Sequence, residues 1–179
     1  MFGETGKVIG QILSILAVGT GFLSFQMKSA GKLLLFQIVT ALLFAAHYLL
    51  IGAPTAAALN FVGAVKCFAY YFRNKKGSKS LLIPAFFTVL LAVTSILTWN
   101  GWYSSLIMAG LLVNSVGLAF DDPQIMRAST LIKSPLCLAY NIIVLSTGGI
   151  VFEGATLFSA VLGLIRNRKK KGEKTNEPI

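Results

Sequence analysis

Charged residues are scarce in this chain. Asp, Glu, Lys and Arg make up 12% of its 179 residues, against about 25% in soluble domains. Hydrophobic residues make up 55%, more than a water-soluble core can hold, so the composition predicts an integral membrane protein. Acidic residues are the rarest charged class, and the net charge is +10. Because the basic residues lie at helix ends and in a tail, they are typical of membrane anchors, and no nucleic-acid partner is expected.

Residues that build catalytic and metal sites are almost missing. His47 is the only histidine, and the two cysteines, Cys67 and Cys137, both fall inside apolar runs. This pattern excludes a disulfide framework and a metal-ligand cluster. The chain also lacks a Ser-His-Asp set and a phosphate-binding glycine loop. We therefore expect no enzymatic activity, no cofactor and no metal.

Uncharged runs are long. Twenty uncharged residues lie between Lys7 and Lys28, and 41 lie between Lys79 and Asp121, enough for one and two crossings at roughly 20 residues each. The first run is too long for a cleaved signal peptide, and Glu4 stands where a signal would be basic. Gly, Pro, Asn and charged residues divide the chain into seven predicted helices. They cover about residues 7–27, 32–51, 55–72, 80–99, 102–120, 124–145 and 150–165.

Basic residues fall almost entirely on one side of the predicted membrane. The side of the N-terminus has Lys7 alone, whereas Lys66 and Lys133 lie within helices. The opposite side holds Lys28, Lys32, Arg73, Lys75, Lys76, Lys79, Arg127, Arg166, Arg168, Lys169, Lys170, Lys171 and Lys174. The positive-inside rule then places the N-terminus outside a bacterial inner membrane and the C-terminus in the cytoplasm. An odd number of crossings is required for this segregation.

A weak internal repeat appears at an offset of 93 residues. The basic cluster 73–76 aligns with 166–169, and Asn60 aligns with Glu153. The uncharged turn at 52–54 falls close to Gly148-Gly149, which we predict as the turn before the last helix. The first and fifth helices join this scheme after a two-residue shift. The repeat predicts two parallel three-helix bundles joined by one linker helix.

The predicted fold class is thus an all-α membrane protein with seven transmembrane helices in a 3+1+3 arrangement. Its parts are the first bundle (1–76), the linker helix (77–101), the second bundle (102–166) and a basic cytoplasmic tail (167–179). The tail is interpreted either as an anchor that fixes orientation or as a segment that binds anionic lipid.

A family resemblance rests on the order and spacing of several short segments. They are Phe44-Ala45-Ala46-His47, Gly52, Ala57-Ala58-Leu59-Asn60, Arg73, Asn141, Gly148-Gly149, Glu153-Gly154 and Leu164-Ile165-Arg166. This pattern resembles the bacterial inner-membrane YgjV family over about residues 8–167. The resemblance implies an architecture similar to the SWEET and PQ-loop group, in which repeats are related by an axis along the membrane normal. It also implies, by analogy, a role in transport.

Two polar residues stand out because a charge at a helix centre costs at least about 2.5–3.5 kcal/mol on insertion scales. Glu153 is the only acid within a predicted helix. It could bind a proton, a cation or a substrate hydroxyl, or it could be a first-turn acid favoured by the helix dipole. The repeat places Asn60 opposite it. In SWEET-like proteins an Asn on the third helix of each bundle contacts substrate, and Glu153 departs from that pattern. The alternative for Asn60 is an interhelical hydrogen bond.

Five further polar residues are candidates. His47 and Asn141 lie near the outer halves of their helices, and His47 is either a proton-coupling residue, with an ordinary pKa near 6.5, or a structural histidine. Tyr140 lies deep enough to line the interface between the bundles. Lys66 and Lys133 either extend to the membrane surface or point inward, where they would form a positive inner vestibule that favours an anionic solute.

These residues predict a transporter or facilitator of a small polar solute. The solute would pass between the bundles, with Asn60, Glu153, His47, Asn141 and Tyr140 along the path and with Glu153 and His47 as proton-coupling candidates. The alternative is a non-transporting receptor or assembly protein, which predicts an interface packed by Leu and Phe and a tail that binds protein. The expected partners are the lipid bilayer and the solute, and the sequence also allows a homo-oligomer.

Overall fold

Helices make up all the regular structure in the part of the chain that the computed structural model describes, which is residues 3–26, 30–78, 80–119, 123–158 and 161. The first six are α1 (Glu4–Gln26), α2 (Ala30–Leu50), α3 (Pro54–Lys75), α4 (Leu82–Leu97), α5 (Ser104–Ala119) and α6 (Pro123–Ile143). The seventh, α7, covers residues 147–158. The prediction of an all-helical chain is confirmed. The predicted tail, 167–179, lies outside the described residues.

One described stretch, Glu4–Leu23 in α1, is long and apolar enough to cross a membrane by length and composition. Shorter apolar stretches are Leu34–Leu50, Leu82–Leu97, Ser104–Gly117 and Leu131–Ile143. The helices α4 and α5 have 16 residues each, about 24 Å at 1.5 Å per residue, whereas the hydrocarbon core is about 30 Å thick. The seven crossings therefore stay a prediction.

Neighbouring helices pack in two groups. The helix α2 packs against α1 and α3, α5 packs against α6, and α4 contacts both α3 and α5. A continuous core joins the groups, and many of its residues are small, which allows close approach of helices. Its buried members are Ala17, Phe44, Tyr48, Ala53, Ala56, Ala57, Leu59, Leu91, Ile107, Cys137 and Tyr140.

Large hydrophobic side chains are exposed on each of the described helices. On α4 the side chains of Phe86, Val89, Val93 and Ile96 are exposed, and they recur at the spacing of one helix face. The opposite face of α4 is buried by Pro84, Phe87, Leu91 and Ser95. A contiguous apolar surface of this kind is unfavourable in water and is typical of contact with lipid or another protein.

The turns before α3 and α7 have the same backbone hydrogen bonds. In the first turn Ile51 N donates to His47 O at 3.0 Å and Ala53 N donates to Tyr48 O at 2.8 Å. The bonds 93 positions later, from Val144 N to Tyr140 O and from Ser146 N to Asn141 O, measure 3.0 and 2.9 Å. Both turns also contain one residue with positive φ, namely Gly52 at 80° and Leu145 at 55°. This is the geometry of the Schellman helix ending.

The start of α7 differs from the prediction. We predicted Gly148-Gly149 as the turn, but both glycines lie in the first turn of α7, and the chain reverses before Ser146. The helix begins earlier because Ser146 is its N-cap, with its hydroxyl oxygen accepting the Gly149 N–H at 3.1 Å. The glycine is required there by close approach, since a Cβ on Gly149 would collide with the Asn141 amide and the Ser146 hydroxyl.

Candidate functional site

A small cavity lies between the two helix groups. Its volume is about 110 Å³. The lining combines apolar side chains with two amides, one phenol and a pair of opposite charges. The lining residues are Phe44, Tyr48, Asn60, Ile107, Leu111, Lys133, Cys137, Asn141, Gly149, Phe152 and Glu153. These residues come from α2, α3, α5, α6 and α7, and α7 itself packs on α2 through Phe152 and Phe44. We use the word seam for the region where α1–α3 face α5, α6 and α7.

Lys133 and Glu153 form a buried ion pair in this cavity. The Lys133 ammonium lies 2.8 Å from Glu153 Oε1, and the two side chains are 13% and 9% exposed. The second carboxylate oxygen, Oε2, is buried and has no hydrogen-bond partner among the described residues. Lys133 lies ten residues after the start of α6, near the middle of the helix. Its ammonium thus points inward to Glu153 rather than to a membrane surface.

The two predicted asparagines line the same cavity as the ion pair. Asn60 donates from Nδ2 to Ala56 O at 2.9 Å, a bond within its own helix α3. Asn141 accepts at Oδ1 from the Tyr48 hydroxyl at 2.5 Å. Tyr48 and Asn141 are 93 positions apart, so this hydrogen bond joins two residues that the internal repeat aligns with each other.

His47 lies beside the cavity, where both ring nitrogens are hydrogen-bonded. Nδ1 lies 2.8 Å from Gly10 O, and Nε2 lies 2.7 Å from the Ser146 hydroxyl. A carbonyl oxygen can only accept, so Nδ1 carries a proton, and in the neutral ring Nε2 accepts from Ser146. His47 therefore ties α1 and α2 to the turn before α7. It is not among the cavity-lining residues.

Further polar contacts close the seam at its turn end, the end that carries residues 51–53, 98–103 and 144–146. Gln11 donates to Leu145 O at 2.9 Å. The Thr55 hydroxyl donates to Thr98 O and lies 3.1 Å from the Ser104 hydroxyl. These bonds link α1 and α3 to the elements around α5 and α7. Hydrogen bonds thus help to close the turn end, and such bonds can exchange with water at small net cost.

Besides His47, two predicted site residues, Tyr140 and Lys66, lie outside the cavity lining. Tyr140 is 1% exposed and packs between the rings of Tyr48 and Tyr103, 6.4 and 6.0 Å away between centroids. Lys66 is buried at 8% exposure, nine residues before the end of α3. It lies near enough to Lys133 for the two charges to interact. The expected vestibule role of Lys66 thus stays a prediction.

Sequence reasoning missed two features of the site. It treated Glu153 and Lys133 as separate candidates, although they are paired. A signal was available, because they are opposite charges on consecutive apolar helices, and each is costly in hydrocarbon unless paired. It also left Tyr48 out, although the 93-residue offset aligns Tyr48 with the candidate Asn141.

Comparison with known proteins gives one result. No curated protein and no solved structure matches the chain. A family model described as a bacterial inner membrane protein, Imp-YgjV, matches residues 8–171. This match covers nearly the whole chain and agrees with the apolar outer surface of the fold. The chain therefore belongs to the Imp-YgjV family of bacterial inner membrane proteins.

Proposed function

We propose that this protein is a multi-pass carrier that moves a small polar solute across the inner membrane through the seam. The observation that supports this most is the Lys133–Glu153 ion pair, which lines a cavity together with Asn60 and Asn141. Ionisable residues inside membrane segments are expensive to insert, and they commonly mark substrate or ion pathways. Four polar groups gathered in one cavity between two helix groups are what a solute site requires.

The proposed architecture is the 3+1+3 arrangement of seven crossings. Two parallel bundles, α1–α3 and α5–α7, are joined by α4. The matching turns at Gly52 and Leu145 support the repeat, and so does the Tyr48–Asn141 bond between aligned positions. Two similar bundles that meet at one seam can rock against each other and so alternate access to a central site, as in transporters built from repeats.

The proposed topology follows the positive-inside rule, with the N-terminus outside and the tail in the cytoplasm. The turn end of the seam then faces outward. Its hydrogen bonds at Gln11, His47 and Thr55 make the described conformation one that is closed to the outside. Outward opening would break these bonds and let water replace them, which has a small net cost per bond.

Proton coupling is proposed through Glu153, with His47 as the second candidate. While Lys133 pairs with Glu153, the cationic partner stabilises the ionised form of the carboxylate. When Lys133 moves away and no cationic group of a solute takes its place, the carboxylate is buried without a partner, and taking up a proton removes the uncompensated charge. Under this scheme Glu153→Gln abolishes accumulation of the solute driven by a pH gradient.

Flux through proteoliposomes tests the proposal. Proteoliposomes that contain the purified protein are each loaded with one unlabelled solute from a panel. Counterflow is then measured as uptake of the same solute in labelled form. We expect saturable flux of at least one solute and a fall of about 30-fold or more in apparent affinity on Lys133→Met, since removing the protein's member of a buried charge pair between protein and solute costs about 2–5 kcal/mol of binding. Thr88→Val is the control, because it removes a partly buried hydrogen bond between α4 and α5 away from the cavity.

The competing hypothesis, a receptor or assembly protein, makes the opposite prediction for this assay. Such a protein gives no flux of any solute in the panel, and it co-purifies with a stable partner that depends on the basic tail. That combination of results would overturn the carrier proposal.

A further inference from the structure

We propose that the solute of this cavity is a small zwitterion that carries one ammonium and one carboxylate, of the size of glycine. This rests on the proposed function and names its substrate class. In the proposed complex the solute carboxylate lies on Lys133 and the solute ammonium lies on Glu153. The solute thus inserts into the existing ion pair and replaces one salt bridge by two.

Charge balance favours this class. The Lys133 and Glu153 side chains together carry no net charge, and both are nearly buried. A further buried basic side chain, Lys66, lies outside the cavity lining and is not part of this pair. A lone cation or anion in the cavity would therefore add one unit of uncompensated charge beside a neutral pair, which is strongly unfavourable. A zwitterion keeps the site neutral and gives each buried charge a partner of opposite sign. A neutral solute such as a polyol can hydrogen-bond to both side chains but offers neither of them an opposite charge.

The unpartnered oxygen of Glu153 is the second observation. Oε1 is occupied by Lys133 at 2.8 Å, while Oε2 is buried in the cavity wall without a hydrogen-bond partner among the described residues. An ammonium has three N–H donors and no acceptor. It can therefore bond to Oε2 and still reach an acceptor such as the amide oxygen of Asn60, which lines the same cavity.

Cavity size limits the solute. The volume is about 110 Å³, whereas a cavity of about 150 Å³ admits benzene. The site as described therefore holds a molecule smaller than benzene, which glycine is, and has no room for a sugar. The apolar wall formed by Ile107, Leu111 and Phe152 has no polar group to offer a larger polar solute.

Thermal unfolding of the full-length protein in detergent tests the inference with four probes: glycine, acetate, methylammonium and glycerol, at equal ionic strength. Glycine should raise the unfolding temperature of the wild type by roughly 5–10 °C at about 100 times its Kd. Acetate and methylammonium, which each carry one half of the charge pattern, should leave the unfolding temperature unchanged. An equal shift with acetate or methylammonium alone would overturn the zwitterion.

Variants then locate the site. Either single substitution leaves one uncompensated buried charge and destabilises the fold, so the decisive variant is the neutral double Lys133→Met/Glu153→Gln. We expect it to lose the glycine shift, while Thr88→Val keeps it. A full glycine shift in the double variant would show that the site lies elsewhere and would overturn the inference.

The counterflow assay separates this inference from the proposed function. If glycerol is bound and transported while glycine is neither, the carrier proposal stands and the zwitterion is wrong. If no probe and no solute of the panel is bound or transported, both are overturned.

Discussion

Glu153→Gln should destabilise the protein strongly, because it leaves the Lys133 ammonium buried without its partner. The substitution keeps the size and shape of the side chain, so no packing cavity is created and the effect is electrostatic. Both side chains are less than 15% exposed, so water screens them little. Breaking a buried pair in this way costs about 3–5 kcal/mol, which lowers the unfolding temperature by roughly 6–20 °C for a chain of this size.

The double variant Lys133→Met/Glu153→Gln distinguishes a paired charge from two independent ones. With both charges removed, nothing remains uncompensated, and replacement of a buried pair by neutral groups is often neutral or stabilising. We expect the double variant to unfold within about 1 kcal/mol of the wild type. Measured together with the single variants Glu153→Gln and Lys133→Met, it completes a double-mutant cycle, which gives the coupling energy between the two side chains.

Circular dichroism of the purified protein in detergent, followed through thermal unfolding, measures all three variants. The reasoning fails if each single variant costs less than about 1 kcal/mol and the double equals their sum, since independent sites add within about 0.3–0.5 kcal/mol. Such a result would mean that the pair is open to water and does not define a buried site.

Three further predictions follow from the turns and the turn end. Leu145→Gly should stabilise the protein by roughly 0.5–1 kcal/mol, because it relieves the left-handed conformation of an exposed leucine. Gly52→Ala in the matching turn should destabilise it by about 1–2 kcal/mol. Urea or thermal unfolding compares the two variants, and a change in stability of the same sign in both would contradict the shared turn geometry. The double variant Thr55→Cys/Ser104→Cys, made in a background free of the native cysteines, should form a disulfide on oxidation. Counterflow should stop when the disulfide forms and return when it is reduced. Flux that persists with the disulfide in place would show that the turn end does not open. Gly149→Ala should cost about 1–3 kcal/mol through overpacking against Asn141, and an unchanged unfolding temperature would refute that close approach.

Much of the fold could be predicted from the sequence because hydrocarbon leaves few alternatives. In lipid, every backbone polar group must be satisfied internally, so long apolar runs become helices. Gly52 lies in an uncharged turn between two such runs and correctly predicted the end of α2. Gly148 and Gly149 misled the same reasoning, because glycine marks close packing as well as turns. Their neighbour Ser146, whose capping role depends on one hydrogen bond, decided where α7 begins.

The candidate site was predicted in part, by a rule about cost rather than by geometry. Glu153, Asn60, Asn141 and Lys133 were singled out because polar groups are expensive in hydrocarbon, and the structure places these four around one cavity. Their roles in binding stay predictions. Lys66 was chosen by the same rule but is buried outside the lining. The rule could not foresee this, because the cost of a charge in hydrocarbon does not specify the direction in which its side chain points.

The sequence by itself determined the class of the protein, its helical content and the short list of polar residues, because these depend on composition and on local patterns of charge and apolar runs. Only the tertiary structure decided that Lys133 and Glu153 pair, that Tyr48 bonds to Asn141 across the repeat, and that His47 ties two helices to a distant turn. These contacts join residues 20 to 99 positions apart. They exist because side-by-side packing of the helices, which no local pattern encodes, brings each buried polar group to the partner that compensates it.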